Sequence, residues 1–157
     1  MGIDSSSRIC GIAVFKDQAL ISSQILKFKE TFSLDKFKTI IDSFAILIKV
    51  HKPDLVILED PLAVRNGKTT RILNQIAGGI LALAVLYKID IMTIHNKTVK
   101  HLVGIKTKED SLAMAKLLYG KTCSTADESD AILLVRSYYE YPNRPQTKQG
   151  NRKTTRD

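Results

Sequence analysis

Asp54-Leu-Val-Ile-Leu-Glu59-Asp60 lies between Pro53 and Pro61. An unbroken run of apolar residues between two prolines predicts a strand buried on both faces, because a strand wet on one side would alternate. The run ends in acids. At the carboxyl end of a central strand a side chain faces the crevice where open α/β sheets bind ligands, which makes Glu59 the first candidate for chemistry. Successive side chains point to opposite faces, so only one of Glu59 and Asp60 can share a site with acids from elsewhere. The competing reading is that both are solvated charges at a strand end.

Upstream of this strand, Ser33 is the expected N-cap of a helix reaching about Val50, with Leu34, Phe37, Ile41, Phe44 and Ile48 along one face. His51-Lys-Pro53 ends it. Earlier still, Met1–Asp4, Ile9–Phe15 and Ala19–Phe28 read as three strands, with a turn at Lys16-Asp-Gln18, in an antiparallel meander. Downstream, the polar loop Arg65-Asn-Gly-Lys68 leads to a helix over about 70–87 whose middle, Ile76 to Val85, is apolar around its whole circumference. Its interior glycines, Gly78 and Gly79, each cost about 1 kcal/mol relative to alanine. Close backbone approach would offset that, either against the chain's own sheet or against the same helix of a second subunit. Asp90–Ile94 follows as a strand, and Asn96 is expected to cap a short helix through Val103 that Gly104 ends. Thr107 is expected to cap another to about Tyr119, with Asp110 completing a capping box. A final helix runs from Ser124 or Thr125 to about Tyr139. Three strands, a helix, then alternating strands and helices predict an α/β fold: a mixed central sheet with helices on both faces.

A chain of 157 residues makes one domain, expected over 1–141, followed by a polar, basic segment at 142–157 without periodicity and expected to be disordered. The net charge of +8 calls for an anionic partner. Nucleic acid comes first; an anionic membrane comes second and lacks a basic amphipathic helix to support it. Cys10 and Cys123 make no metal-ligand spacing and read as buried free thiols. The amino end reaches an acid at Asp4, unlike a signal peptide, and the longest apolar run, Ile76–Tyr87, falls short of the roughly 18 residues of a membrane span. The expectation is a soluble, cytoplasmic protein with no membrane partner.

If the first strand neighbours the Glu59 strand, Asp4 lies beside Glu59. Asp127 and Asp130, spaced i, i+3, share one face of the last helix and can point into the same crevice. Close carboxylate pairs repel by about 1 to 4 kcal/mol at 4 Å, so such a cluster makes no sense as packing. Mg²⁺ removes that cost, since it prefers oxygen ligands and needs only one or two carboxylates besides substrate phosphate. The implied chemistry is two-metal phosphodiester hydrolysis with ions about 3.5 to 4 Å apart. For Asp127 the alternative is an acid in the first turn of a helix capped at Thr125.

These residues resemble, in order and spacing, the RuvC-type Holliday junction resolvases of the ribonuclease H-like fold. The matching pieces are Gly2-Ile-Asp4 with Ser6, Arg8 and Gly11, then Pro53-Asp54 leading to Ile57-Leu-Glu59, and Gln75-Ile-Ala-Gly78. Val99-Lys100 with Val103-Gly104 and Ala126-Asp127-x-x-Asp130-Ala131 complete the set. The resemblance implies a homodimer packed through the helix at about 70–87, cutting four-way junctions and leaving 5′-phosphate and 3′-hydroxyl ends. It implies that Asp4, Glu59, Asp127 and Asp130 hold two Mg²⁺ ions, with Mn²⁺ able to substitute, and that Lys100 serves at the scissile phosphate. Arg8, Leu62, Arg65, Lys68, Lys100, Lys106, Lys108, Arg152 and Lys153 are the expected DNA contacts.

The departures from the family carry expectations of their own. Leu62 stands where an aromatic wedge is usual, Asp110 falls at or near the second active-site lysine, and Ser5-Ser6 replaces Pro-Gly. Lys106 or Lys108 is the expected substitute for that lysine. These changes would fit a divergent, phage-encoded member acting in the host cytoplasm, with looser selectivity extending to forks and flaps. Two other readings remain: a phosphate loop of the actin-like and sugar-kinase ATPases in Gly2-Ile-Asp-Ser-Ser-Ser7, and a catalytically inactive branched-DNA-binding module. His51, His95 and His101 read as surface or capping residues, and Tyr138, Tyr139 and Tyr141 as helix-end packing.

Overall fold

A computed structural model describes residues 1–29, 31–60 and 67–142. The antiparallel meander of β1 (Gly2–Asp4), β2 (Ile9–Lys16) and β3 (Ala19–Lys27) precedes α1 (Leu34–His51) and β4 (Leu55–Asp60). Then come α2 (Gly67–Leu86), β5 (Asp90–His95), α3 (Asn96–Val103), α4 (Lys108–Tyr119) and α5 (Ala126–Glu140). The sheet order is β3-β2-β1-β4-β5. β1 pairs antiparallel with β2 and parallel with β4, and β4 pairs parallel with β5, so the sheet is mixed as expected.

Strand alternation sorts the side chains into two layers. Ile3, Cys10, Ile12, Val56 and Leu58 pack beneath α1 and α2, against Ile40, Phe44, Ile48, Ile76, Ala77 and Ile80. Ile57 and Ile94 pack on the other face against Val99 of α3 and Leu134, Val135 and Tyr138 of α5. Glu59 therefore points to the α5 side with Ile57, while Asp60 is exposed. The tyrosines pack as expected: Tyr138 is buried and meets Tyr139 edge-on at 5.3 Å.

α1 is capped by Ser33, whose side chain accepts from the Lys36 N–H, but its buried face is rotated from the expected one. Leu34 is 82% exposed, and Lys36, Ile40, Phe44 and Ile48 are the buried residues. Phe37 and Ile41 flank that core. Lys36 can occupy the layer because its stem is apolar and its Nζ donates to the Phe28 carbonyl at 3.2 Å.

α2 begins at Gly67, earlier than expected, and its two glycines serve different ends. A Cβ on Gly79 would lie 2.4 Å from Ile41 Cδ1, so this glycine lets α1 and α2 approach. A Cβ on Gly78 would meet nothing within 4 Å. By length and composition α2 could cross a membrane, and only 22% of its most apolar window is buried. Its inward residues, Ile76, Ala77, Ile80 and Ala84, pack as those of a core helix, while Val85 and Leu86 remain exposed.

Candidate active site

Asp4 ends β1 and Glu59 ends β4. The parallel register Gly2↔Ile57 and Ile3↔Leu58 brings the two strand ends side by side. Opposite Asp4 on β2 stands Gly11, and a Cβ there would lie 1.8 Å from the Asp127 carbonyl oxygen. The absent side chain is what lets the first turn of α5 settle over β1 and β2. Gly2 leaves similar room under Ala131 and Val135. Thr125 caps α5, accepting from the Glu128 N–H at 3.3 Å, so Asp127 lies in the first turn and Asp130 one turn on.

All four acids are half-buried and electrostatically coupled. Burial, then the charges of Glu59, Asp130 and Asp127, raise the Asp4 carboxyl well above the ordinary carboxylate range, against an opposing pull from Lys108. Glu59 is raised by burial and by Asp130, with the Asn96 hydrogen bond and Lys100 opposing. Asp130 is raised by burial and by Asp127, with the Ser111 hydrogen bond, Lys100 and Lys108 opposing. Carboxyls driven toward the neutral form first by burial and then by one another are a setting in which added positive charge would be favourable. Among the described residues no three ligating side chains close on one point, so the acids lie near enough to act on one another without forming a finished coordination shell. Their chemistry fits hard divalent cations: every donor is a carboxylate oxygen, and Asp4 and Asp127 accept no side-chain hydrogen bond from the described residues.

Lys100 on α3 and Lys108 at the start of α4 are the cations that bear on Asp4, Glu59 and Asp130. Lys106 is exposed in the α3–α4 connection, and its N–H is held by Asp110 Oδ2 at 2.9 Å. Asp110 closes the expected capping box with Thr107. Arg8 is exposed in the β1–β2 turn, and Lys68 is exposed in the first turn of α2. Leu62, Arg65, Arg152 and Lys153 lie outside the described residues.

Two side chains that hold the acids, and a third that anchors the helix carrying Asp127 and Asp130, escaped the sequence reading. Asn96 is not the cap of α3. His95 is, its Nδ1 accepting from the Lys97 N–H at 3.3 Å, while Asn96 Nδ2 donates to Glu59 Oε1 at 2.9 Å. Ser111, buried on α4, donates to Asp130 Oδ1 at 2.5 Å and sits 3.0 Å from Ser129 Oγ. Glu128 is buried and accepts from Ser23 Oγ at 2.7 Å and from the Ser124 N–H at 2.8 Å, with Lys121 Nζ at 3.4 Å, tying the start of α5 to β3. Burial alone would raise its carboxyl, but those partners outweigh it and hold it low. Cys10 lies behind the site as a buried free thiol, pushed up to about 12 by burial; Cys123, also free, is only half-buried, contrary to the expectation that both are buried.

A family model described as crossover junction endodeoxyribonuclease RuvC matches residues 1–135. A protein of that name from Tolumonas auensis is 31% identical over 143 residues, covering 86% of this chain and 83% of the relative. Thermus thermophilus RuvC, solved in complex with a Holliday junction substrate, superposes with a TM-score of 0.78 over 89% of this chain and 91% of that one, at 16% identity. The yeast mitochondrial Holliday junction resolvase superposes with a TM-score of 0.63 at 14% identity, over 88% of this chain and 76% of that one. The acids at the ends of β1 and β4 and on the first turns of α5 all lie within the matched residues, on a sheet of the same fold, and the chain belongs to the RuvC family of crossover junction endodeoxyribonucleases.

Proposed function

We propose that this protein is a divalent-metal-dependent endonuclease that cuts four-way DNA junctions, with Asp4, Glu59, Asp127 and Asp130 as its metal-binding acids. The observation that carries the assignment is that β1, β4 and the start of α5 bring half-buried carboxyls near enough to act on one another, in a chain with net charge +8. Two bound Mg²⁺ or Mn²⁺ ions would supply an activated water and stabilise the leaving oxygen. The protein's own share is positioning. β1 and β4 hold Asp4 and Glu59 rigidly, α5 brings Asp127 and Asp130 over them, and Lys100 offsets phosphate charge at the rim. Lys108 takes the place of the family's second lysine, since it and not Lys106 bears on Asp4 and Asp130. Arg8, Lys68 and Lys106 extend the cationic surface. Membership of the family removes the ATPase reading.

The functional unit is a homodimer packed through α2. Support comes from the outward side of that helix, where Asn74, Gly78, Ala82, Val85 and Leu86 are exposed and Gly78 leaves room for a backbone to approach. Such a dimer presents two sites to one junction. The basic residues at 142–157 add sequence-independent, salt-sensitive affinity.

The test is a synthetic four-way junction incubated with the protein, with and without Mg²⁺, and with Glu59→Gln. Metal-dependent cutting that disappears in Glu59→Gln while junction binding persists is the expected result. Cutting unaffected by that substitution refutes the assignment. Binding without cutting by the wild-type protein with metal favours an inactive junction-binding module. Fork and flap substrates measure how far selectivity extends.

A further inference from the structure

Asparagine at the start of a helix ordinarily caps it. Here His95 caps α3, so the Asn96 amide is free of that duty and donates to Glu59 Oε1 at 2.9 Å. The β4–β5 ladder explains why the two meet: Glu59 pairs with Ile94 and Asp60 with His95, so the first residue of α3 emerges beside the end of β4. Lys100 follows Asn96 by one helical turn, on the same side of α3, and acts on both Glu59 and Asp130.

We infer that Asn96 is a positioning residue that fixes the Glu59 carboxylate with one oxygen held and the other presented to a divalent cation. The inference rests on the reading of Glu59 as a metal-binding acid. A neutral amide suits this role better than a lysine would, because it holds the carboxylate without bringing a cation that competes with the metal. It has two donors and one acceptor, and a donor facing Oε1 leaves Oε2 unengaged by any described side chain. Hydrogen-bonding partners of this kind orient a ligand before the ion arrives, and their loss costs about 10- to 100-fold in metal affinity. Ser111 engages Asp130 through one oxygen in the same way, at 2.5 Å, from the neighbouring helix α4. Two acids from different parts of the fold are thus each held by one uncharged donor from the segment that also carries Lys100 and Lys108.

The test measures Mn²⁺ binding to the full chain without DNA, by titration calorimetry, for wild type, Asn96→Ala, Asn96→Leu, Glu59→Gln and the Asn96→Ala/Glu59→Gln double variant. Asn96→Leu keeps the γ-branched shape and removes the donor, so a cavity defect in the alanine variant is separable. Expected are a 10- to 100-fold weaker affinity in both Asn96 variants, an unchanged metal-free melting temperature in at least one, and no further loss in the double variant compared with Glu59→Gln. Junction cleavage by Asn96→Ala should recover at high Mg²⁺, raising the metal requirement more than it lowers kcat. Wild-type Mn²⁺ affinity in both Asn96 variants, with weakened affinity in Glu59→Gln, overturns the inference alone. Wild-type affinity in Glu59→Gln overturns the metal-acid reading beneath it.

Discussion

Replacing Gly11 with alanine asks directly whether the approach of α5 to the sheet makes the site. The added Cβ would lie 1.8 Å from the Asp127 carbonyl oxygen, 2.5 Å from its carbonyl carbon and 3.1 Å from the Glu128 nitrogen. All three are backbone atoms, so no rotamer change relieves the clash. Ordinary contact begins near 3.4 Å, and 3.4 − 1.8 requires the first turn of α5 to retreat by about 1.6 Å. Overpacking of this kind costs typically about 1 to 3 kcal/mol, which in a chain of this size lowers the melting temperature by about 2 to 12 °C. A misplacement of about 1 Å can cost on the order of 100-fold in rate, so junction cleavage should fall at least that far at a temperature where the variant is folded. Binding to the junction should persist, because the exposed cations are untouched. Gly67→Ala, whose Cβ enters open space at the start of α2 and away from the proposed interface, is the control. A Gly11→Ala protein that melts and cuts like wild type refutes the packing argument. One that melts lower but cuts at full rate refutes the claim that α5 sets the geometry of the acids.

Burial and mutual repulsion raise Asp4, Glu59 and Asp130, so between the ordinary carboxylate range and those raised values the folded chain holds more protons than the unfolded one. These groups therefore take stability away as pH rises through that window. The melting temperature in chelator should decline from mildly acidic to neutral pH; Glu59→Gln should lessen the decline, and an unchanged slope contradicts the coupling. Saturating Mg²⁺ should raise the neutral-pH melting temperature by binding only the folded form, and the absence of any shift argues against a site preformed without DNA. Glu128→Ala should destabilise by about 3 kcal/mol, because the hydroxyl, amide and ammonium partners around a buried carboxylate lose their acceptor; denaturant unfolding measures it, and a change below about 1 kcal/mol rejects the clamp. Gly78→Leu should shift the protein toward monomer in sedimentation while preserving its fold, and an unchanged oligomeric state rejects the α2 interface.

The layering and the caps Ser33 and Thr107 were legible in the sequence, with Thr125 as one of two candidates and the β1–β4 pairing as one possibility, because they follow from local rules. An apolar run bounded by prolines is a strand, and Ser33, Thr107 and Thr125 offer side-chain oxygens to N–H groups three residues on. Alternation likewise separated Glu59 from Asp60 before any neighbour was known. What the sequence left open depends on competition between groups that are close only in space. Asn96 and His95 both suit a cap, and the proximity of Glu59 across the β4–β5 ladder decides which one takes it. Gly78 and Gly79 are interchangeable as letters, but only Gly79 faces Ile41. Leu34 fits the apolar stripe of α1 yet lies at the helix's first turn, beyond the layer that Lys36 closes instead. Residue types and spacing state which contacts are chemically possible. Which of them form is set by the packing of distant segments, since a hydrogen bond or a close approach needs its partner within a few ångströms.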